Sequence, residues 1–524
     1  MRTFPTLLLL PLLAWPALAQ ETPSAASSTD PAVQVLAPPP SAVVSVVPAP
    51  EESHTPLQLA LAFLERDPIF TDAAVSMQVV NTRTGDPVYG WGENRPLVPA
   101  SVMKLLTTAT ALRFLGPDYR FPTWVLHDGD LGGDGVLAGN LYVKGQGDPT
   151  MVVERMWRMV LDLKLRGVRE IKGDVVFDES YFADTSSIPG WNKEEDIESG
   201  PTYFSTLGAL SVNYNIAAIV VRPGTAVGQP AVAEFEAPSP VIVIDNRVTT
   251  GSRGSRKWIK VERATDEETH RIATYTLTGN MPAEHEPDTI YRTLVDPLGN
   301  YMGVFESLAR EQGLKVRGKY RAGITAAGAT LLLKAESAPL ADVVALTSKH
   351  SNNFMAEQML RVAGAERHGL PATTAKGVDL IAEYLGTLGV PAGDYALVNG
   401  SGLTREGVLR PSVVNAVLVD MWRDADLGPE FASSLSVGGR DGTLWSRFRD
   451  QTMAGRVRGK TGTLSGVTCL AGYVTAMDGE TYAFTFLVNE VDGALARARR
   501  AHDGLVLTLA GVTGNVADSV EAEP

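Results

Sequence analysis

A serine and a lysine three residues apart, Ser101 and Lys104, form the only Ser-x-x-Lys tetrad in the 524-residue chain. On a helix, residues i and i+3 lie on one face about one turn apart, so the lysine amine can reach the serine hydroxyl. A serine hydroxyl is a poor nucleophile until a neighbouring base takes its proton. A lysine becomes such a base when desolvation or a nearby cation lowers its pKa. The pair therefore indicates nucleophilic catalysis, although about one or two such tetrads arise by chance in a chain this long.

Two segments supply a Ser-x-Asn pattern, Ser351-Asn352-Asn353 and Ser211-Val212-Asn213. In a cleft, the hydroxyl can relay a proton and the amide can hold a substrate peptide group. The same residue types also cap helices and turns routinely. Spacing alone does not choose between the two segments, nor between chemistry and capping.

A Lys-Thr-Gly triplet, Lys460, Thr461 and Gly462, lies at the end of a predicted strand, and Thr463 follows it. A strand edge can pair with an extended peptide substrate. The lysine and threonine side chains suit a carboxylate, and the glycine permits close backbone approach. The triplet is rare, at about one-tenth of a chance occurrence in a chain this long, whereas Arg83-Thr84-Gly85 is better explained as a hairpin turn.

The three elements, in this order, resemble the pattern of the serine enzymes that recognise β-lactams. A separation of 250 residues between Ser101 and Ser351 resembles one subgroup, the low-molecular-mass class C D-alanyl-D-alanine carboxypeptidases/endopeptidases (peptidase family S13). That subgroup has two extra domains inserted after the nucleophile helix. Further stretches that resemble it are residues 145–150, 173–178, 209–213, 400–403, 439–444 and 459–472. The resemblance spans about residues 57–515 and places Ser211-Val212-Asn213 in a separate motif of the insertion.

This resemblance implies a role for each catalytic residue. Ser101 is the expected acylated nucleophile and Lys104 its general base. Ser351 is expected to relay the proton to the leaving amine, and Asn353 to hold the substrate's peptide group. Lys460 completes the expected catalytic set.

The resemblance also implies substrate contacts. With Lys460, Thr461 is expected to position the substrate's terminal carboxylate, and Gly462 permits its approach. The backbone N–H groups of Ser101 and Thr463 would form the oxyanion hole, where losing one donor typically costs about 3 to 4 kcal/mol. The remaining expected contacts are Arg405 with the peptide stem, and Asp196 and Tyr203 with the side chain of the diamino acid. Asn399 departs from the subgroup, which usually has Asp there, so a charge-dependent contact at this position is in doubt.

The elements that must position these residues are read from hydrophobic periodicity and turn signals. A short helix is predicted over residues 57–64, a hairpin over 75–91, and a helix over 102–114 that Gly116-Pro117 stops. Helical patterns return over 348–362, 376–388 and 411–423. Three strands, 455–460, 467–476 and 481–489, precede a helix over 493–509. The predicted fold is α/β (α+β): a serine β-lactamase/transpeptidase-like domain whose antiparallel sheet is built from both chain ends and flanked by helices.

The domain boundaries follow changes in composition. Residues 1–19 are predicted to be a signal peptide, 20–56 a disordered Pro/Ala/Ser-rich linker, and 516–524 an acidic tail. The catalytic domain is predicted over 57–119 and 326–515. Many short β-like runs predict that 120–325 is a mainly β insertion of two modules. Export and a periplasmic or cell-envelope location follow as expectations.

Composition narrows the classes of function. A formal net charge of −14 argues against nucleic-acid binding, which needs a basic face. Cys469 is the only cysteine, which excludes an intramolecular disulfide, and its apolar surroundings favour a buried side chain over a nucleophile. The seven histidines show no metal-binding spacing, so we expect no metal and no cofactor.

The predicted function is a serine-type D-Ala-D-Ala carboxypeptidase/endopeptidase that acts on peptidoglycan stem peptides ending in D-Ala and binds β-lactam antibiotics covalently. Two alternatives stay open. A β-lactamase-like hydrolase is disfavoured by the large insertion, and a non-catalytic cell-wall binding module by three intact motifs. The oligomeric state, the diamino acid recognised and the preference between the two peptidase activities are left open by the sequence.

Overall fold

A computed structural model describes residues 61, 68–183, 188–191, 202–237, 239–265 and 272–511. The predicted signal peptide, linker and acidic tail lie outside these residues, as do Asp196 and all of the predicted helix over 57–64 except Leu61. None of the helices in the described ranges combines the length and apolarity needed to cross a membrane.

The strands of the described residues are between two and ten residues long. In chain order they are β1 (Ala74–Asn81), β2 (Pro87–Trp91), β3 (Pro122–His127), β4 (Val136–Leu137), β5 (Leu141–Gly145), β6 (Glu170–Ile171), β7 (Val175–Asp178), β8 (Ile216–Arg222), β9 (Val232–Phe235), β10 (Ile242–Gly251), β11 (Trp258–Thr265), β12 (Ala273–Pro282), β13 (Asp288–Thr293), β14 (Lys315–Val316), β15 (Tyr320–Ala322), β16 (Thr330–Glu336), β17 (Tyr395–Ala396), β18 (Val408–Leu409), β19 (Ser436–Val437), β20 (Val457–Leu464), β21 (Val467–Thr475) and β22 (Thr481–Asn489).

The α-helices of the described residues are most frequent in the C-terminal half of the chain. They are α1 (Lys104–Leu115), α2 (Val153–Leu165), α3 (Pro297–Glu311), α4 (Leu340–Lys349), α5 (Asn353–His368), α6 (Thr374–Thr387), α7 (Pro411–Arg423), α8 (Gly428–Ser434) and α9 (Leu495–Leu509). A 3-10 turn, Ala100–Met103, leads directly into α1. The helix predicted over 102–114 is thus present with a tighter first turn, and it ends at Gly116, whose φ of 82° suits a glycine.

The largest sheet unites both ends of the described chain. Its strand order is β19-β20-β21-β22-β1-β2, and every neighbouring pair is antiparallel. Alternate residues of β21 face opposite sides: Cys469 and Tyr473 pack with α1 and α7, whereas Leu470 and Val474 pack with α9. Burial on both faces explains why β21 is apolar throughout rather than alternating. The predicted antiparallel sheet between helices is confirmed.

The segment predicted to be an insertion contains two separate hydrophobic cores. The first joins the sheet β15-β7-β5-β3-β16 to α2 and α3, and the second lies between the sheets β10-β12-β11 and β13-β8-β9. The sequence prediction of a mainly β segment missed α2 and α3, although Met156, Met159, Val160 and Leu163 of α2 are buried at helical spacing. Strand β16 lies beyond the predicted end at residue 325 because its apolar run pairs with β3, the first strand of the insertion.

Candidate active site

Ser101 and Lys104 meet where the 3-10 turn becomes α1. The Lys104 Nζ atom donates to Ser101 Oγ at 2.9 Å, to Asn353 Oδ1 at 2.7 Å and to the carbonyl of Ser401 at 2.7 Å. Lys104 is fully buried, and its three donors satisfy the capacity of an ammonium group. The predicted Ser–Lys contact is therefore present in a desolvated environment.

The segment Ser351–Asn353 approaches the same point from the start of α5. Ser351 has a φ of 53°, a left-handed conformation uncommon for a residue other than glycine. Asn352 caps the helix by accepting from the backbone N–H of Met355 at 2.9 Å. This cap leaves the neighbouring side chains of Ser351 and Asn353 free to face the cleft, where Asn353 accepts from Lys104.

The alternative Ser-x-Asn segment has local structural bonds instead. Ser211 Oγ donates to the carbonyl of Gly208 at 3.0 Å and accepts from Asn215 Nδ2 at 3.0 Å. Asn213 Oδ1 accepts from the backbone N–H of Val153 at 3.0 Å, at the start of α2. These contacts belong to the packing of the insertion.

Strand β20 brings the Lys-Thr-Gly triplet next to Ser351 and to the turn that carries Ser101. Lys460 Nζ donates to Ser351 Oγ at 2.8 Å and to the carbonyl of Thr461 at 2.8 Å. A Cβ atom on Gly462 would lie 2.6 Å from the carbonyl oxygen of Pro99, so only glycine lets the strand pack this closely beside the turn that carries Ser101.

One edge of β20 is open beyond the triplet's lysine. The short strand β19 pairs only with Arg458 and Gly459. Within the described residues, no strand covers the same edge at Thr461 and Thr463. An extended peptide can therefore add to the sheet here by strand pairing.

The two buried lysines have depressed pKa values. Burial, followed by the positive charge of Lys460, lowers the pKa of Lys104 well below its ordinary value, and the Glu357 carboxylate partly opposes this effect. Burial alone lowers the pKa of Lys460 to about 7. Near neutral pH, a desolvated lysine in contact with a serine hydroxyl is suited to accept its proton.

Sequence reasoning missed Glu357, one turn after Asn353 on α5. Its carboxylate is fully buried and accepts from the backbone N–H groups of Ser401 at 2.7 Å and Gly400 at 3.1 Å. Burial raises its pKa. Because the Ser401 carbonyl accepts from Lys104, Glu357 fixes the loop that holds the lysine. The available signal was a glutamate one turn after Asn353 on the same predicted helix.

Sequence reasoning also missed Thr443, which follows β19. Its hydroxyl accepts from Thr461 Oγ1 at 2.9 Å, and its backbone N–H donates to Ser436 Oγ at 3.0 Å. The hydroxyl of Thr461 is thus oriented by a second threonine that the triplet motif does not include.

Asn399 is buried and has a structural function in the same loop. Its Oδ1 atom accepts from the backbone N–H of Gly402 at 2.9 Å, and its Nδ2 group donates to the carbonyl of Pro189 at 2.9 Å. An ionised aspartate would keep the first bond and lose the second, so the amide at this position links the loop to the insertion.

The peripheral residues named from the resemblance lie at different positions. The Arg405 guanidinium donates to the carbonyl of Ser465, just after β20, at 2.6 Å. Tyr203 is about half exposed, and its carbonyl accepts from Asn353 Nδ2 at 3.1 Å. Tyr203 therefore borders the cleft through its backbone, whereas Asp196 lies outside the described residues.

The single cysteine is buried on β21. Its thiol donates to the carbonyl of Val98 at 3.5 Å, and burial raises its pKa to about 12. A neutral, enclosed thiol is a weak nucleophile. No cluster of three or more potential metal ligands occurs in the described ranges.

The chain resembles known proteins along nearly its whole length. The model of the D-Ala-D-Ala carboxypeptidase 3 (S13) family matches residues 57–510. A D-alanyl-D-alanine carboxypeptidase from Actinomadura sp. (strain R39) is 32% identical over 473 residues, which cover 87% of this chain and 84% of the relative. The D-alanyl-D-alanine carboxypeptidase DacB of Haemophilus influenzae is 25% identical over 75% of this chain and 80% of its own length.

Solved structures share the fold. The crystal structure of penicillin binding protein 4 (dacB) from Haemophilus influenzae superposes with a TM-score of 0.72 at 22% identity, covering 86% of this chain and 98% of that one. The same protein complexed with a β-lactam gives a TM-score of 0.68. At this identity the likeness establishes the arrangement of the domains' elements, whereas the residue contacts above come from this chain itself.

Proposed function

The chain belongs to the D-Ala-D-Ala carboxypeptidase 3 (S13) family, and from this premise we propose that it hydrolyses the terminal D-Ala-D-Ala bond of peptidoglycan stem peptides through an acyl-enzyme on Ser101. The observation that carries the proposal is the 2.9 Å contact between the buried Lys104 amine and the Ser101 hydroxyl. A buried amine with a depressed pKa can be neutral near pH 7. The neutral amine donates to Asn353 and Ser401 and uses its lone pair to accept the Ser101 proton, instead of donating to Ser101 as the ammonium form does.

Acylation begins when Lys104 Nζ takes the proton of Ser101 as Oγ adds to the scissile carbonyl carbon. The backbone N–H groups of Ser101 and Thr463 stabilise the oxyanion. The C–N bond then breaks as Ser351 passes a proton to the leaving amine of D-alanine, and Ser351 in turn receives the proton that Lys104 took from Ser101, so that Lys104 is neutral again. Water next adds to the ester, with the lysine again taking a proton, and hydrolysis releases the shortened peptide and restores the serine.

The neighbouring residues bind and orient the substrate. Lys460 holds Ser351 by the 2.8 Å bond, and Asn353 holds a substrate peptide group while its Oδ1 atom orients Lys104. The peptide adds to the open edge of β20 at Thr461 and Thr463. This addition gives main-chain hydrogen bonds that do not depend on side-chain identity.

Further substrate contacts extend from this edge. Arg405 holds the peptide stem, and Tyr203 with Asp196 meets the side chain of the diamino acid. β-Lactams acylate Ser101 because their strained amide resembles the D-Ala-D-Ala bond. No step of this reaction needs a cofactor.

The location of the enzyme follows from the start of the chain. A basic Arg2, an apolar run over residues 7–13 and Ala17-Leu18-Ala19 match an export signal. Export to the periplasm or cell envelope brings the enzyme to its peptidoglycan substrate.

The test is release of D-alanine from a stem pentapeptide by wild type, Ser101→Ala and the matched control Ser211→Ala. We expect wild type and Ser211→Ala to release D-alanine and Ser101→Ala to release none. Equally low release by all three proteins would contradict the proposal and support a binding module. Rapid turnover of a penicillin without a stable adduct would instead support a β-lactamase.

A further inference from the structure

The carboxylate at the end of a D-Ala-D-Ala peptide needs a cationic partner that the two catalytic lysines do not fully provide. Lys104 gives all three donors to protein oxygens, and Lys460 gives two. Both amines are fully buried. Because burial also lowers the pKa of Lys460 to about 7, this amine is only partly charged at neutral pH.

Another cation lies on the outer part of β20. Arg499, an exposed residue in the second turn of α9, donates from Nη2 to Thr463 Oγ1 at 3.1 Å. None of the ion pairs among the described residues involves Arg499. A guanidinium stays charged at any physiological pH and presents several donors in a fixed plane that matches a carboxylate.

The hydroxyl groups of β20 differ in the direction of their hydrogen bonds. Thr461 Oγ1 donates its proton to Thr443 Oγ1 at 2.9 Å. Thr463 Oγ1 instead accepts from Arg499, so its own proton is available to a substrate oxygen. A hydroxyl that accepts from a cation becomes a stronger donor, because hydrogen bonds in a chain polarise one another.

We propose that Arg499 and the Thr463 hydroxyl form an anion subsite for the terminal carboxylate of the peptide substrate. The inference rests on the proposed function, because it names how the carboxypeptidase reads the free C-terminus. The open edge of β20 holds the peptide beside Thr463. The Arg499 guanidinium adds charged N–H donors next to the Thr463 hydroxyl. The subsite favours a peptide that ends in a carboxylate over one whose end is blocked.

The test compares Arg499→Gln and Arg499→Lys with Arg500→Gln, a matched control at the exposed neighbour of Arg499. Each enzyme is assayed on a peptide ending in D-Ala-D-Ala and on the same peptide with a C-terminal amide. For the free acid we expect kcat/KM of Arg499→Gln to fall about 10- to 100-fold, mainly through KM, because a charge-assisted hydrogen bond is lost. Arg499→Lys should retain part of the activity, and Arg500→Gln nearly all of it.

The amide substrate separates a binding role from a structural one. Wild type and Arg499→Gln should cleave the amide at similar rates, because that substrate has no charge to bind. Equal losses on both peptides, or no loss on the free acid relative to Arg500→Gln, would overturn the subsite. Failure of wild type to cleave either peptide would refute the proposed function itself and is thus a distinct result.

Discussion

Replacing Lys460 with methionine should stabilise the protein at pH 7 while removing its activity. The amine has a pKa of about 7 in the fold against an ordinary value of 10.5. At pH 7 this difference costs folding about 4 kcal/mol, since the unfolded chain keeps the proton that the folded protein partly releases. Burial of the Lys460 amine therefore lowers the stability of the fold at pH 7.

Two hydrogen bonds oppose this gain. Lys460 donates to Ser351 and to the carbonyl of Thr461, and each bond contributes about 1 kcal/mol. Methionine fills a similar volume without charge. We therefore expect Lys460→Met to be more stable than wild type by about 2 kcal/mol at pH 7.

The pH determines whether Lys460→Met is more or less stable than wild type. A folded pKa below the unfolded one lowers stability most at low pH, and the penalty disappears as pH rises through 10.5. At pH 10 it has shrunk to about 1 kcal/mol. The lost hydrogen bonds then dominate, and Lys460→Met should become less stable than wild type by about 1 kcal/mol.

The assay is the midpoint of urea unfolding for both proteins at pH 7 and pH 10, read from the circular dichroism of the sheet and helices. Lys319→Met, at an exposed lysine, is the control and should change neither midpoint much. The reasoning is refuted if Lys460→Met is destabilised by the same amount at both pH values. The prediction is that the protein with the higher urea midpoint differs between pH 7 and pH 10. This comparison remains valid even if unfolding is not a single two-state transition.

Three further substitutions test the loop, the base and the second face of the sheet. Gly402→Ala should slow acylation by a β-lactam about 10- to 100-fold. The φ of Gly402 is 74°, and the new Cβ would lie 2.0 Å from the Ala100 carbonyl oxygen. Acylation of the variant at the wild-type rate would contradict this prediction. Glu357→Gln removes an anion that raises the pKa of Lys104. Lys104 should then stay neutral at lower pH, so the acidic limb of the pH profile of acylation should move to lower pH. An acidic limb at the wild-type pH would contradict the electrostatic effect of Glu357 on Lys104. His502 is buried, neither ring nitrogen has a hydrogen-bond partner among the described residues, and burial with two nearby arginines lowers its pKa to about 3. Wild type should therefore lose about 3 kcal/mol between pH 7 and pH 4 that His502→Leu keeps, and parallel acid unfolding of both proteins would refute this.

The fold was predictable wherever local pattern and burial agree. The hairpin β1–β2 and the strands β21 and β22 have apolar runs and turn signals, so the antiparallel sheet of the chain ends follows from them. Helix α2 was missed because its apolar positions, at the helical period of about 3.6, lie within a segment rich in short β-like runs. Helix α2 is buried against the sheet β15-β7-β5-β3-β16, and the strand β16 of this sheet is distant from α2 in the sequence.

The site was predictable only where a motif specifies the chemistry. The three motifs name Ser101, Lys104 and Lys460, whereas their supporting partners depend on tertiary contacts. Glu357 acts through two backbone N–H groups of a loop more than 40 residues away. Arg499 reaches Thr463 from another element. A backbone donor or an exposed arginine has no sequence signature of its own, so these contacts become visible only in the fold.

The most direct test of the account is to locate the acyl group. Wild type and Lys104→Ala are treated with a penicillin, digested and analysed by mass spectrometry. We predict one adduct, on the peptide that contains Ser101, forming rapidly in wild type and far more slowly in the variant. An adduct on another residue, or equal rates in the two proteins, would contradict the claim that a buried lysine activates this serine.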